Sequence, residues 1–121
     1  MRLQESGEMY LETVFRLSHS MHGVRSIDVA EEMGVKKPSV SRAVSLLKQG
    51  GYLEMDANGF LRLTDCGREI AEKTYERHKV LTEFFVRMGV DPYVAATDAC
   101  KVEHHISDET FVAIKNHMEK N

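Results

Sequence analysis

Apolar positions recur every three or four residues through the first half of the chain, which is the spacing of one face of an α-helix. The first amphipathic stretch covers residues 5–21. A second follows Ser26, a residue type that caps helix N-termini, and a third begins around Pro38. Gly34 and Gly50 stand where the second and third patterns stop, as glycine often does after a helix. The pattern therefore predicts three helices, with a tight turn between the second and the third. The inner stripe predicted for the third helix consists of Val40, Ala43, Val44, Leu46 and Leu47.

The periodicity changes in the segment "YLEMDANGFLRLT". Two short apolar-rich runs flank Asn58 and Gly59, a pair that favours a tight hairpin turn. Helical spacing resumes from Thr64, which is expected to cap the new helix. Two further helices are predicted after Pro92 and Ser107. The predicted order is three helices, a two-stranded hairpin and three more helices.

Two short helices joined by a glycine-containing turn and followed by a hairpin describe a winged helix-turn-helix. We therefore predict a mostly α fold, with an N-terminal winged helix-turn-helix and its two-stranded wing in residues 1–64. Residues 65–121 are predicted to form a connecting helix and a helical second domain. A chain of 121 residues is long enough for one domain, or for two small ones.

Charge is distributed unevenly along the chain. The net charge is −3, yet no acidic residue occurs between Glu32 and Glu54, where the third helix is predicted. In a winged helix-turn-helix this helix enters the major groove of DNA. Lysines would bind phosphates there, and hydroxyl groups and arginine would reach phosphates or base edges. The predicted DNA-binding residues are those of the helix start and one on the wing: Lys36, Lys37, Pro38, Ser39, Ser41, Arg42 and Arg62.

The simpler interpretation of these residues is that polar side chains solvate an exposed helix. Winged helices also serve as protein-interaction modules. The absence of acidic residues from the whole reading segment favours DNA binding over both alternatives.

The segment "DACKVEHHISDE" concentrates metal-binding residue types. Cys100, Glu103 and His104 are spaced i, i+3 and i+4, so on a helix they share one face. A thiolate, a carboxylate and an imidazole together suit a divalent transition metal. His105 would point about 100° away from His104 and is the weaker candidate.

Three other residues could belong to the same site. Met9 and Glu12 share a face of the first helix, and His78 lies in the middle of the long helix. Taken singly, a helical methionine usually fills a core and a helical histidine usually lies at the surface. Cys66 is interpreted as an inert thiol near a helix start.

The composition of the chain narrows the classes of protein to which it could belong. Two cysteines are too few for a disulfide framework, and no apolar run reaches the length of a membrane span or a signal peptide core. A cytoplasmic protein without a membrane partner is expected. A metallohydrolase would need an open coordination position and a separate base, and no spacing supplies the base. We therefore do not expect an enzyme, or an organic cofactor.

Taken together, these motifs resemble the iron- and manganese-dependent transcriptional repressors, the family of the diphtheria toxin repressor and the manganese transport regulator. The segments "EMYLETVFRL" and "VAEEMGVKKPSVSRAVSLLKQGGYL" are similar to its first helix and helix-turn-helix. "GFLRLTDCGREIAEKTYERHKVLTEFF" resembles its wing and connecting helix, and "ACKVEHHISDE" its most specific motif. The resemblance covers residues 5–115.

The resemblance implies a homodimer that binds a double-stranded DNA operator when loaded with metal, and that controls genes of metal-ion homeostasis. The helical second domain would form the dimer interface. By motif position, Met9, Cys100, Glu103 and His104 would match ligands of the iron-type site. Glu12 and His78 would match positions of the manganese-type site, and His78 is also used in the second iron-type site.

The sequence mixes the two branches of the family. Manganese-type members have an aspartate in place of Met9 and a glutamate in place of Cys100. Two sulfur ligands favour Fe(II), with Mn(II) next, and other divalent transition metals are expected to substitute in vitro. Thr82 and Ala96 stand where the second iron-type site wants a carboxylate and a histidine. The chain is also expected to lack the C-terminal SH3-like domain of the larger members.

One alternative function remains open at this point. A winged-helix regulator could respond to a thiol oxidant or an organic ligand through Cys100 rather than to metal.

Overall fold

The computed structural model describes residues 5–120, and within them the predicted order of helices and strands is confirmed. The chain consists of two compact units, Met1–Glu72 and Lys73–Asn121. The predicted boundary between the functional domains at residue 64 stays a prediction. The elements are α1 (Glu5–Ser18), α2 (Ser26–Met33), α3 (Lys37–Gln49), β1 (Leu53–Met55), β2 (Leu61–Leu63), α4 (Asp65–Arg87), α5 (Pro92–Val102) and α6 (Asp108–Lys120).

The first unit contains the helix-turn-helix. Gly34 ends α2 in the left-handed conformation, with φ of 67°, so a residue with a side chain would be strained there. The N–H of Val35 donates to the carbonyl of Ala30 at 3.1 Å, which gives a hydrogen-bond partner to a carbonyl in the last turn of α2. The predicted Ser26 cap is wrong, because the helix begins at Ser26 and Asp28 accepts a hydrogen bond from the backbone N–H of Arg25 at 2.9 Å.

Helix α3 buries one face and exposes the other. Val40, Val44 and Leu47 are at most 4% exposed, and their spacing of four and three residues keeps them on a single stripe. Leu46 was expected on this stripe but is 56% exposed, since it lies about 100° around the helix from Leu47. Val40, Val44 and Leu47 join an apolar cluster of buried residues: Leu11, Val14, Val24, Val29, Ala30, Val40, Val44, Leu47, Leu53, Leu61 and Ala71.

The wing is an antiparallel hairpin in which Leu53 pairs with Leu63. Its turn is organised by Asp56, whose carboxylate accepts hydrogen bonds from the backbone of Asn58 and Phe60 at 2.9 and 3.0 Å. The N–H of Leu61 also donates to the carbonyl of Val24 at 2.7 Å. This isolated bridge ties the wing to the segment before α2.

The start of α4 packs tightly against the wing. Thr64 caps the helix as predicted, accepting from the N–H of Gly67 at 3.1 Å while its hydroxyl donates to the carbonyl of Gly51 at 2.7 Å. A Cβ at Gly67 would lie only 2.1 Å from the carbonyl oxygen of Tyr52. Glycine is therefore required here by close approach of two backbone segments.

The second unit consists of the rest of α4 with α5 and α6. Asp91 caps α5, accepting from the N–H groups of Tyr93 and Val94 at 3.1 and 3.3 Å. The apolar interior is small and includes Leu81, Ala95, Ala99 and Phe111. Between residues 5 and 120, no helix combines the length and the apolar character that a membrane span needs.

Candidate metal centre and nucleic-acid interface

The end of α5 positions the central side chain of the candidate metal centre. The helix ends at Val102, not beyond His104 as the sequence indicated, but Glu103 keeps helical backbone angles of −58° and −25°. Its N–H still donates to the carbonyl of Ala99 at 2.9 Å. Cys100 and Glu103 thus keep their helical i, i+3 relation, whereas His104 lies in the turn that follows.

Glu103 is the most buried acidic side chain in the second unit, with 0% of its side chain exposed. One carboxylate oxygen, Oε2, lies 2.9 Å from Nδ1 of His78 on α4. The other, Oε1, lies 3.4 Å from Nε2 of His104, whose side chain is also fully buried. Two imidazoles therefore flank one carboxylate that is itself closed to solvent.

This arrangement fits a divalent cation. Among the described residues, Oε1 of Glu103 is a buried oxygen without a hydrogen-bond donor. Burying a carboxylate costs several kcal/mol unless a charge or hydrogen bonds compensate it. Carboxylate oxygen and imidazole nitrogen are also donors that divalent transition metals accept.

The other predicted ligands of the second unit, Cys100 and His78, are partly exposed to solvent. Cys100 is a half-buried cysteine on α5, and the side chain of His78 is 26% exposed on α4. His105 is exposed, in agreement with its predicted direction away from His104. Cys66 is exposed at the start of α4.

The two predicted ligands of the first unit lie on α1. Glu12 is 7% exposed although it is acidic, and its Oε1 lies 3.6 Å from Nε of Arg16. Met9 is half-buried one turn earlier, and its carbonyl accepts a hydrogen bond from the hydroxyl of Thr13 at 2.8 Å. The two residues are spaced i, i+3 and so share a face of this helix.

Sequence reasoning missed one residue near this centre, the buried Arg77. It is 8% exposed on α4, directly before His78, and donates to the carbonyls of Glu103 and Ile106 at 3.3 and 2.8 Å. It also pairs with Asp108. Its position within the apolar stripe of α4, four residues before Leu81, was the signal that could have revealed it.

The candidate nucleic-acid interface lies on the first unit. All six predicted residues around the start of α3 are exposed, since the opposite face of that helix is committed to the core. Arg62 is exposed on β2, opposite Glu54 in the hairpin. The described residues that carry the predicted interface are thus available to solvent: Lys36, Lys37, Pro38, Ser39, Ser41, Arg42 and Arg62.

A winged helix-turn-helix with an exposed, acid-free reading helix, followed by a helical unit with a buried carboxylate–imidazole cluster, defines a metal-responsive DNA-binding regulator. Residues 2–59 match the family model described as "Iron dependent repressor, N-terminal DNA binding domain". Residues 64–121 match "Iron dependent repressor, metal binding and dimerisation domain". The chain belongs to the iron-dependent repressor family, whose members are metal-dependent transcriptional regulators and not enzymes.

Proteins with similar sequences are also described as transcriptional regulators. The transcriptional regulator MntR of Escherichia coli O6:H1 is 32% identical over 111 residues, which are 92% of this chain and 72% of that protein. An uncharacterized HTH-type transcriptional regulator of Methanocaldococcus jannaschii is 30% identical over 120 residues, covering 98% of this chain and 96% of that protein. These relatives give no support to the alternative in which Cys100 senses an oxidant or an organic ligand.

Solved structures share the fold. The manganese regulator SloR superposes with a TM-score of 0.85 at 23% identity, covering 100% of this chain and 56% of that one. A manganese-dependent transcriptional repressor in complex with manganese has a TM-score of 0.86 at 26% identity, covering 93% of this chain and 52% of that one. The chain spans about half the length of these solved proteins.

Proposed function

We propose that this chain represses genes of metal-ion homeostasis by binding a double-stranded DNA operator as a homodimer when it is loaded with Fe(II) or Mn(II). The observation that carries the proposal is the fully buried carboxylate of Glu103 between the imidazoles of His78 and His104. A solvated polar face would not bury an acid in this way. The match of residues 64–121 to a metal-binding and dimerisation domain supports it.

The proposed metal ligands are six residues on three helices and the turn after α5. Glu103, His104 and His78 are supported by their distances, and Cys100 by its helical spacing from Glu103. Met9 and Glu12 are supported by their shared face on α1, by the burial of Glu12 and by the family resemblance. Bound metal would supply a positive charge that neutralises this set of acidic and thiolate groups.

The identity of the metal is proposed from two opposing arguments. Two sulfur donors, Met9 and Cys100, favour Fe(II) because softer ligands suit it better than Mn(II). One similar structure described above, at 26% identity, is that of a manganese-dependent repressor, and Glu12 is an additional hard oxygen donor that favours Mn(II). We place Fe(II) first and Mn(II) next.

On DNA, the two reading helices of a homodimer would occupy successive major grooves about 34–36 Å apart. Lys36 and Lys37 would bind phosphates and set the register, while Ser39, Ser41 and Arg42 would contact phosphates or base edges. Arg62 on the wing would reach the neighbouring backbone. Metal and DNA binding would then be thermodynamically linked, each strengthening the other by the same factor.

Selection of DNA from a random duplex pool tests this function and identifies the operator sequence at the same time. Protein loaded with Mn(II), or with Fe(II) under anaerobic conditions, is expected to enrich an inverted repeat, because a two-fold dimer reads two half-sites. Chelated protein is expected to enrich this repeat much less at the same protein and salt concentrations. Equal enrichment of the same sequence under chelator, or enrichment of no sequence with either metal, would contradict the proposal.

A further inference from the structure

The guanidinium of Arg77 lies beneath the turn that connects α5 and α6. One terminal nitrogen donates to the carbonyl of Ile106 at 2.8 Å and contacts that of Glu103 at 3.3 Å. The other pairs with the carboxylate of Asp108. The planar group also lies over the ring of Phe111, 5.4 Å from its centroid.

These contacts span the whole turn. Glu103 is its first residue, Ile106 lies near its middle and Asp108 begins α6. Carbonyls at the end of a helix have no partners within that helix, so a buried donor is needed to satisfy them. Backbone N–H groups of His105 and Ile106 also hold the turn, donating to the carbonyl of Val102 at 2.9 and 3.0 Å, and the arginine adds contacts from its first residue to the start of α6.

Arg77 and His78 act on the same residue from adjacent positions of α4. Arg77 contacts the backbone carbonyl of Glu103, and His78 contacts the carboxylate of its side chain at 2.9 Å. The first contact sets where the Glu103 backbone lies, and the second sets where its carboxylate points. His104 is the next residue, so its backbone is fixed by the same contact.

Burial of this arginine is costly. Its side chain is only 10% exposed, and its Nε–H is buried with no acceptor among residues 5–120. A methionine of similar length would fill the space without that penalty. The fork geometry of a guanidinium, in contrast, can hold two carbonyls and a carboxylate at once.

We propose that Arg77 is a positioning residue for the metal centre, holding the turn from Glu103 to Asp108 so that Glu103 and His104 are preorganised for the ion. This inference rests on the proposed function, because it requires that these two residues bind metal. Groups that orient metal ligands without touching the ion typically change metal affinity about 10- to 100-fold when removed.

The test uses the full chain with three substitutions. Arg77→Met removes every polar contact, and Arg77→Lys keeps the charge but not the fork. Arg87→Met is the matched control, since Arg87 also lies on α4 and donates to an α6 carbonyl, that of Met118, at 3.3 Å. Each protein is measured for Mn(II) affinity by paramagnetic resonance of free ion, for the visible spectrum of its Co(II) form, and for the melting temperature of its metal-free form.

We expect Arg77→Met to raise the Mn(II) dissociation constant about 10- to 100-fold and to alter the Co(II) spectrum, with Arg77→Lys intermediate. Arg87→Met should stay within about twofold of the wild type, as surface substitutions usually do. A merely structural role would lower the melting temperature of Arg77→Met while leaving metal affinity and the Co(II) spectrum unchanged well below that temperature.

The outcomes separate the inference from the function on which it rests. If wild-type protein binds no metal, the proposed function fails. If wild-type protein binds metal and the Arg77 variants bind it equally well with the same Co(II) spectrum, the inference alone is overturned. If Arg77→Met does not fold, Arg77→Lys is judged by the same affinity and spectral criteria.

Discussion

Substituting glutamine for Glu103 removes one negative charge while keeping the length and shape of the side chain. Because that side chain is 0% exposed, the change occurs where water cannot compensate for it. The metal-free protein should tolerate the substitution, since an amide costs less to bury than a carboxylate. The metal-loaded protein should not, because the ion loses a charged partner.

The burial of Glu103 sets the size of this effect. Removing one partner of a fully buried ionic pair costs about 3–5 kcal/mol, whereas an exposed pair contributes about 0–1 kcal/mol. Since each 1.4 kcal/mol is about tenfold, metal affinity should fall at least about 100-fold. With metal at about 100 times the wild-type dissociation constant, wild type gains about 2.7 kcal/mol and the variant about 0.4 kcal/mol.

Thermal unfolding with and without Mn(II) measures this difference. For a chain of this size, about 1 kcal/mol corresponds to roughly 4 °C, so metal should raise the wild-type melting temperature by roughly 10 °C. Glu103→Gln should gain under about 2 °C. Glu109→Gln is the matched control, because Glu109 is exposed on α6 and the same charge is removed.

Two results would refute this reasoning. A Glu103→Gln protein that Mn(II) stabilises as much as wild type would show that the carboxylate is not a ligand. Equal losses in Glu103→Gln and Glu109→Gln would show that overall charge, and not the buried site, determines metal binding.

Three further predictions concern the reading helix, the wing and the second unit. Lys37→Met should weaken binding to all DNA sequences alike and reduce the salt slope of log affinity by about 1.8, which is about 0.9 for each protomer of the dimer. Anisotropy at several salt concentrations measures the slope, and an unchanged slope would exclude a phosphate contact. Gly67→Ala should lower stability by about 3 kcal/mol in urea unfolding, because its Cβ would lie 2.1 Å from the Tyr52 carbonyl oxygen; a neutral result would mean that the two backbones separate freely. Lys73 and Arg77 hold the pKa of Asp108 below its ordinary value of 3.8, so its contribution to stability is present above pH 3.8 and is lost as pH falls through the lowered pKa. Wild type and Asp108→Asn should therefore differ in unfolding free energy at neutral pH and converge in acid, and a constant difference would contradict this.

Local patterns in the sequence were enough to predict the elements of the fold. Helical periodicity, the Thr64 cap and the Asn58-Gly59 turn are all properties of short segments, and the structure confirms each of them. The end of α5 at Val102 was missed because the polar residues after it continue a helical spacing. The exposure of Leu46 was missed because its neighbour Leu47 is equally apolar and takes the inward position.

The residue types of the candidate metal site could be predicted from the sequence, but the contacts that hold those residues in place could not. The i, i+3, i+4 spacing around Glu103 is visible in the sequence, as is the separate His78. The apolar stripe of α4 signals the burial of Arg77, but its partners could not be assigned because they lie 26 to 31 positions away along the chain. Contacts at that separation are set by packing between helices, which no local pattern specifies.

Whether metal controls DNA binding is decided by the affinity of the protein for its selected duplex with and without metal, measured by fluorescence anisotropy at one fixed salt concentration. We predict that Mn(II) or anaerobic Fe(II) tightens binding about 5- to 150-fold relative to a chelated control, the usual range for coupled sites. Glu103→Gln should abolish this ratio while leaving the chelated affinity unchanged. Equal affinity with metal and with chelator would contradict the proposed linkage, leaving a DNA-binding protein without a metal switch.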